Sequence, residues 1–325
     1  MNTFEHTAEI LVVGAGMAGL TAASDLQQAG HPVLVIDKGR GVGGRLASRR
    51  IGLATFDHGA QFMTARDARF AAAVKHWLNL GVLAEWYRGT AEAPGGHPRW
   101  RGNPAMTAVA KTLASDLNLL LEKKVVSLRR ESQGWVASLE SGEKIFASAV
   151  LLTPPVPQSL ALLDFEELSL PPSLRARLES IEYERCLALM AVLAEPSRIP
   201  LPGGLAPSDG PIAWIADNQL KGISSTPAVT IHATPAFSLE HWDHDRQESA
   251  QELLRAARKW LGSNVLEFQV HGWRYSKPVQ VEQEKCLVLK ESPVLLLAGD
   301  AFGGARVEGA ALSGWAAAAT LKRMI

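Results

Sequence analysis

The chain has 325 residues, 47% hydrophobic and 20% charged, the balance of a folded globular protein with room for about two domains. Its 33 basic and 33 acidic side chains cancel, so no global field favours nucleic acid or an anionic membrane surface, and neither is expected as a partner. Two distant cysteines, Cys186 and Cys286, with no metal-ligand pattern around either, predict no disulfide framework, no metal site and a reducing, cytoplasmic location. The polar stretch 1–8 predicts no signal peptide, and the alanine-rich run 309–321 is too short and too weakly apolar to predict a membrane span.

The chain opens with a short apolar strand, Ile10-Leu11-Val12-Val13. It runs into Gly14-Ala15-Gly16-Met17-Ala18-Gly19 and then into a helical pattern over 17–28. This pattern is a phosphate cradle. The first glycine allows a tight turn, the second lets backbone approach a pyrophosphate, the third lets helix pack on strand, and free N–H groups face the negative charge. A second apolar strand over 33–36 ends in Asp37, where a ribose hydroxyl needs an acceptor. Together these segments predict a Rossmann-type α/β dinucleotide-binding domain.

Lys38-Gly39-Arg40-Gly41-Val42-Gly43-Gly44-Arg45 follows, too rich in glycine for a helix or a central strand. Alone it reads as a solvated basic turn. Directly after Asp37 it reads as a second cofactor loop, with Arg45 as a bidentate donor to a pyrophosphate. Asp57-His58-Gly59-Ala60-Gln61-Phe62 forms another polar turn, where Gln61 can hydrogen-bond the edge of a ring system. His58 by itself reads as a structural hydrogen-bond partner.

Further on, a helix is predicted over 70–83 and a turn over 100–104. A three-stranded meander is predicted over 124–128, 134–139 and 145–152, with turns at 132–134 and 141–143, and Thr153-Pro154-Pro155 stops it. Strands over 186–193, 212–216, 229–234 and 265–272 follow, with a helix over 243–261 in which Asp243 is the expected N-cap. His271-Gly272-Trp273-Arg274-Tyr275 is the densest run of functional side-chain types. Trp273 and Tyr275 can stack on a ring and Arg274 can meet a phosphate or ribose; equally, the run can be a strand that alternates buried aromatics with a structural arginine. A buried-type strand over 294–298 then enters Gly299-Asp300-Ala301-Phe302, and Val307-Glu308-Gly309-Ala310 opens the last helix.

The fingerprint at 14–19 followed by Arg40-x-x-Gly43-Gly44-Arg45, with Gly299-Asp300 and Val307-Glu308-Gly309-Ala310 at the far end, resembles the amine oxidase superfamily of FAD-dependent enzymes. The resemblance implies a Rossmann-type, p-hydroxybenzoate hydroxylase-like FAD-binding domain interleaved with a mixed α+β substrate domain. The former takes 1–62, 104–155 and 284–325 and the latter 63–103 and 156–283, with the substrate expected in the cleft between them. It implies FAD contacts from Gly14, Ala15, Gly16, Met17, Ala18, Gly19, Asp37, Lys38, Gly44, Arg45, His58, Gly59, Ala60, Gln61, Gly299, Asp300 and Val307. Val125 either pairs its backbone with adenine, as the resemblance implies, or is a plain strand core residue.

The compact length, the 57–62 run and the His-x-Trp-Arg-Tyr stretch narrow the resemblance to the renalases. That branch implies oxidation of 1,2- and 1,6-dihydro isomers of NAD(P)H to NAD(P)+, hydride transfer to flavin N5, and O2 as the acceptor that yields hydrogen peroxide. Trp273, Arg274 and Tyr275 are then the expected substrate contacts. A dihydronicotinamide loses hydride to become an aromatic cation with no carbon-bound proton to abstract, so no acid or base side chain is expected. Covalent members of the superfamily use a cysteine, but Cys286 opens a strand over 286–289 and reads as a core thiol, so FAD is expected to be noncovalent. Amine oxidation stays as the alternative, although only Tyr87, Tyr183 and Tyr275 are available and no amine-sandwiching pair can be placed among them. A flavin hydroxylase and a non-catalytic flavin-binding redox sensor also remain open.

Overall fold

A computed structural model of the chain describes residues 5–90, 93–131 and 133–325, without the side chains of 90, 93 and 94. Residues 1–4 of the polar N-terminus and Ser132 of the turn expected at 132–134 lie outside them. The chain forms two compact units, Met1–Gly44, Ala110–Glu182 and Pro278–Ile325 on one side and Arg45–Val109 with Tyr183–Lys277 on the other. In packing, 45–62 and 104–109 therefore go with the second unit and 156–182 and 278–283 with the first, unlike the boundaries expected from sequence.

The first unit is built on an eight-stranded sheet. Its main path runs Leu287–Glu291, Val294–Leu297, Lys144–Leu152, His6–Val13, Val33–Ile36, Asn118–Leu120. Val294–Leu297, Lys144–Leu152, His6–Val13, Val33–Ile36 and Asn118–Leu120 pair in parallel. Their apolar runs are unbroken because both faces are covered: Ile10, Leu11, Val12, Val35, Ile36 and Leu151 are fully buried. The helix Met17–Gln28 packs on the C-terminal helix Val307–Met324 so closely that a Cβ on Gly314 would lie 2.2 Å from the carbonyl oxygen of Ala18. The alanine content of both helices permits this approach. The expected meander is present as Val125–Glu131, Gly134–Leu139 and Lys144–Leu152, all antiparallel.

The second unit carries a five-stranded sheet in the order Gly204–Leu205, Ile212–Asp217, Ala228–Ala233, Tyr183–Leu193, Val265–Pro278. The amphipathic helix Arg246–Leu261 lays Ala250, Leu253, Ala257 and Leu261 on Leu187, Leu189, Val229 and Ile231 of that sheet. The hairpin Ser48–Ile51 with Ala54–Asp57 packs Ile51, Ala54 and Phe56 against Met190 and Ala228. A second hairpin joins Leu83–Thr90 to Ala93–Gly102.

Several local expectations need correction. The helix expected over 70–83 is Ala68–Asn79, because Asp67 caps its start and the chain turns at Gly81, with φ +71°, into a strand. Trp100 and Arg101 lie in a strand rather than in a turn. The helix expected from 243 starts at Arg246, and its cap is Asp245, whose carboxylate accepts from the Gln247 N–H at 2.6 Å, not Asp243. The strand expected to end at 272 continues to Pro278.

Candidate functional site

In the first unit the strand His6–Val13 delivers the chain into Gly14, whose φ of +104° only glycine adopts without strain. A Cβ there would also meet Thr153 Oγ1 at 2.5 Å, and a Cβ on Gly19 would lie 1.9 Å from the Gly14 carbonyl oxygen. Gly16 is different: a Cβ at this position meets nothing within 4 Å. It is the N-cap of Met17–Gln28 and makes no side-chain cap bond. The result is an open space in front of the unsatisfied N–H groups and positive end of a twelve-residue helix, the geometry that receives a phosphate. Met17 and Ala18 are buried in its first turn.

Asp37 stands at the end of Val33–Ile36 and is fixed by two backbone donors, Ala15 N–H at 2.6 Å and Gly39 N–H at 2.7 Å. Its own carbonyl accepts from Lys123 N–H at 3.0 Å, which ties the segment leading into buried Val125 to the same loop. Lys38 is exposed. The second glycine loop folds onto the first through Gly43 N–H to the Ala15 carbonyl at 2.7 Å, and Gly44 lies beside Gly16. A Cβ on Gly299 would sit 3.7 Å from the Thr153 carbonyl oxygen, so the loop before buried Asp300 joins this set. Val307 opens an eighteen-residue helix whose N-cap, Arg306, likewise makes no side-chain cap bond. Two uncapped helix starts, an open cradle at Gly16 and an oriented carboxylate fit a bound dinucleotide cofactor.

The second unit holds the turn 57–62, and every described partner of Asp57 and His58 lies in that unit. Asp57 is fully buried and forms an ion pair at 2.7 Å with Lys221, also fully buried. Its other oxygen accepts from Ser48 Oγ at 2.6 Å and from Met106 N–H at 3.0 Å. Burial lowers the pKa of the Lys221 ammonium and the Asp57 carboxylate opposes that shift. The Gln61 amide, expected at a ring edge, folds back: Nε2 donates to the Asp57 carbonyl at 2.5 Å and to the Gly59 carbonyl at 3.3 Å, while Oε1 faces Lys221 at 3.5 Å. Ala60 N–H donates to the Arg45 carbonyl at 2.8 Å, and a Cβ on Gly59 would lie 2.1 Å from that oxygen. The Arg45 guanidinium itself donates to the carbonyls of Tyr275 at 3.3 Å and Ser276 at 3.2 Å.

His58 is 3% exposed, and its carbonyl accepts from Trp273 Nε1 at 2.8 Å and His232 Nε2 at 3.1 Å. Its ring stacks on Trp273 at 5.3 Å and meets His271 edge-on at 5.0 Å. Burial, aided by His271, Arg49 and His232, pushes the His58 imidazole down to about 3, and burial brings His232 to about 4. These rings are neutral at physiological pH and hold protons weakly. Trp273 and Tyr275 point to one side of their strand, against His58 and Tyr183, while exposed Arg274 points to the other, 5.9 Å from the Trp242 ring. Strand alternation thus divides the trio that sequence reasoning grouped together.

Sequence reading missed Lys221 and an aromatic cluster. Phe62, Trp86 and Trp214 meet at 5.7 to 6.3 Å. Arg99 lies 4.7 Å from the Tyr87 ring centroid and 5.4 Å from that of Phe62, and Lys221 lies 5.0 Å from that of Trp86. A single lysine in a polar loop gives no sequence signal. The pattern Trp86-Tyr87-x11-Arg99, written on a hairpin, could have been read only with the register known.

The pattern described as flavin containing amine oxidoreductase matches residues 78–322, and an NAD(P)-binding Rossmann-like pattern matches 12–77. The chain belongs to the flavin-containing amine oxidoreductase family. FAD, held noncovalently, is the cofactor of this amine oxidoreductase. Cys186 is a buried strand residue whose thiol burial pushes up to about 12, and Cys286 lies 3.7 Å from Thr320 Oγ1. The chain is 41% identical over 70 residues to the Mycobacterium tuberculosis protein AofH, named a flavin-containing monoamine oxidase, which covers 21% of this chain and 15% of that one. Over 50 residues it is 46% identical to an L-amino-acid oxidase of Siganus canaliculatus, 15% of this chain and 9% of that one. The fold is shared with a putrescine oxidase, TM-score 0.73 at 13% identity over 98% and 99% of the two chains. It is also shared with a protein from Exiguobacterium sp. 255-15 named a protoporphyrinogen oxidase, TM-score 0.75 at 14% identity over 99% and 100%. Among the described residues no helix is long and apolar enough to cross a membrane, and no group of three or more His, Cys, Asp or Glu could hold a metal ion.

Proposed function

We propose that this flavin-containing amine oxidoreductase oxidises 1,2- or 1,6-dihydro isomers of NAD(P)H to NAD(P)+, as a renalase-type enzyme. Bound FAD supplies the hydride acceptor and returns the electrons to O2 as hydrogen peroxide. In this reading the first unit holds FAD through 14–19, Asp37, Gly44, Val125, Gly299, Asp300 and Val307, and the second presents substrate-binding side chains together with the 57–61 turn. Trp273 anchors that turn through the His58 carbonyl. A cytoplasmic location, in keeping with two free thiols, belongs to the same proposal.

The observation that carries the reading is the charge on the aromatic cluster. Arg99 already covers Tyr87 and Phe62, and Lys221 covers Trp86. An ammonium substrate would compete with these cations for the same ring faces, whereas an uncharged dihydronicotinamide ring would not. The neutral histidines beside the turn suit the same chemistry, because hydride loss requires no proton acceptor. Anaerobic mixing of the purified holoprotein with separate 1,2-, 1,4- and 1,6-dihydro NAD and NADP tests the proposal through the flavin absorbance. Rapid bleaching by a non-1,4 isomer, with peroxide on admission of air, is the expected result; no bleaching by any isomer overturns it. The fold shared with a putrescine oxidase bound to putrescine favours a second reading, amine oxidation, which peroxide production from diamines would support instead.

A further inference from the structure

Three arginines converge on Trp242 in the second unit. The Cζ atoms of Arg185, Arg246 and Arg274 lie 5.0, 5.1 and 5.9 Å from the centroid of that one indole ring. They come from distant parts of the sequence: the strand Tyr183–Leu193, the start of the helix Arg246–Leu261, and the strand Val265–Pro278. Trp242 is 8% exposed, so the indole is a fixed platform rather than a surface ring. Among the described residues none of the three guanidinium groups forms an ion pair with a carboxylate. Asp245, the acidic neighbour of Arg246, directs its carboxylate to the Gln247 N–H instead.

The arrangement is held in place. Arg246 Nη1 donates to the His241 carbonyl at 3.2 Å. Gly272 leaves room for the platform, since a Cβ there would lie 3.1 Å from the Trp242 ring and 3.3 Å from Arg246 Nη2. Arg246 is the first residue of its helix, where the macrodipole disfavours a cation, so helix stability does not account for it. Like charges gathered without a counter-charge raise the energy of the empty cluster, and an anion relieves it. Planar guanidinium groups gathered around one aromatic ring suit a multidentate oxyanion.

We propose that the Arg185, Arg246 and Arg274 cluster on Trp242 is a phosphate-binding site that takes a phosphoryl group of a nucleotide. Resting on the dinucleotide reading above, it assigns the site to the substrate's diphosphate or 2′-phosphate, groups remote from the reacting ring whose binding energy positions that ring. It also gives Arg274 a role apart from Trp273 and Tyr275, its neighbours in the 271–275 run, which face the other side of the strand.

The test is calorimetric titration of the holoprotein, FAD retained, with inorganic pyrophosphate, ADP-ribose and 2′-phospho-ADP-ribose. Wild type, Arg274→Met, Arg246→Met and Arg274→Lys are compared. Arg274 is exposed, so its replacement leaves the fold intact and Arg246→Met is the supporting variant. Each Met variant is expected to weaken binding by about tenfold, with partial recovery in Arg274→Lys, the loss of one charge-assisted contact. Equal weakening for both ADP-ribose ligands assigns the site to the diphosphate, and weakening confined to the 2′-phospho form assigns it to the 2′-phosphate. No binding by wild type, or affinities unchanged in both Met variants, overturns the proposal. Bleaching by dihydro isomers with unchanged affinities would sink the phosphate site alone. Arginine-dependent binding in a protein that no dihydro isomer bleaches would instead sink the substrate reading and keep the site.

Discussion

Replacing Lys221 by Met tests how the 57–61 turn is held. Both members of the Asp57–Lys221 pair have fully buried side chains and lie 2.7 Å apart. Removing the lysine leaves a carboxylate in the interior with, among the described residues, only Ser48 Oγ and Met106 N–H as donors. Deleting one member of a buried pair costs about 3–5 kcal/mol, which at roughly 2–4 °C per kcal/mol lowers the melting temperature by about 6–20 °C. Removing both charges leaves no uncompensated ion. The Asp57→Asn/Lys221→Met double variant should therefore recover at least about 2 kcal/mol of the summed single losses in a double-mutant cycle. Thermal and denaturant unfolding of the four proteins, flavin-loaded, reads this coupling. Additive losses would refute the reasoning, because they would mean that the two charges contribute independently.

Gly16→Ala should unfold like wild type in the flavin-free form, because the new methyl meets only open space, yet should retain less FAD per protein after purification; normal flavin content would show that the cradle is not occupied by the cofactor. Gly14→Ala should lose both flavin and stability, since φ is +104° and the Cβ would meet Thr153 Oγ1 at 2.5 Å. Heat or acid should release all flavin into the supernatant, and colour left on the protein in a denaturing gel would contradict noncovalent binding. With folded pKa values of about 3 and 4 for His58 and His232, below the ordinary 6.5, the unfolded chain binds the extra protons. Stability is then fully present above pH 6.5 and falls as the pH drops through that window, and melting temperatures of His232→Gln between pH 7.5 and 4.5 should slope less than those of wild type. Cys186, its thiol raised to about 12, should resist iodoacetamide in the folded protein and react only on unfolding, as mass spectrometry of the labelled peptides would show.

The cofactor half of the fold was legible because its signals are local. Gly14, Gly16, Gly19 and Asp37 fall within one strand-helix-strand unit, and their spacing dictates the tight turn at Gly14, the close approach at Gly19 and a carboxylate at the end of the second strand. The meander was legible for the same reason, from alternation and turn residues. The second unit was legible in its strands but not in its contacts. Lys221 meets Asp57 across 164 positions, and no local pattern reports that pairing. Arg274 was grouped with Trp273 and Tyr275 because they are neighbours in sequence, and strand alternation sends it to the opposite side, toward Trp242. The cap lies two residues beyond Asp243, at Asp245, because an aspartate at either position can accept from the first N–H groups of the helix and only backbone geometry selects between them.

The 57–62 turn shows why the boundary expected at 62 differs from the packing. By sequence the turn follows the glycine loops closely, and resemblance places it at the cofactor. By contact it belongs to the second unit, since Thr230 Oγ1 donates to the Asp57 carbonyl at 3.1 Å, and Lys221, His232 and Trp273 supply further donors. With its side chains engaged inward, the Ala60 N–H given to Arg45 and the Gly59 carbonyl to Gln61, the turn keeps the Gly59 N–H and the Ala60 carbonyl for a ligand, and Thr230, His232 and Trp273, which fix its backbone, sit on the sheet proposed to bind substrate. A side chain such as Trp273 then has two separable functions, an indole face and an N–H that orients the His58 carbonyl. A replacement that keeps the shape of the ring but lacks the N–H loses the second.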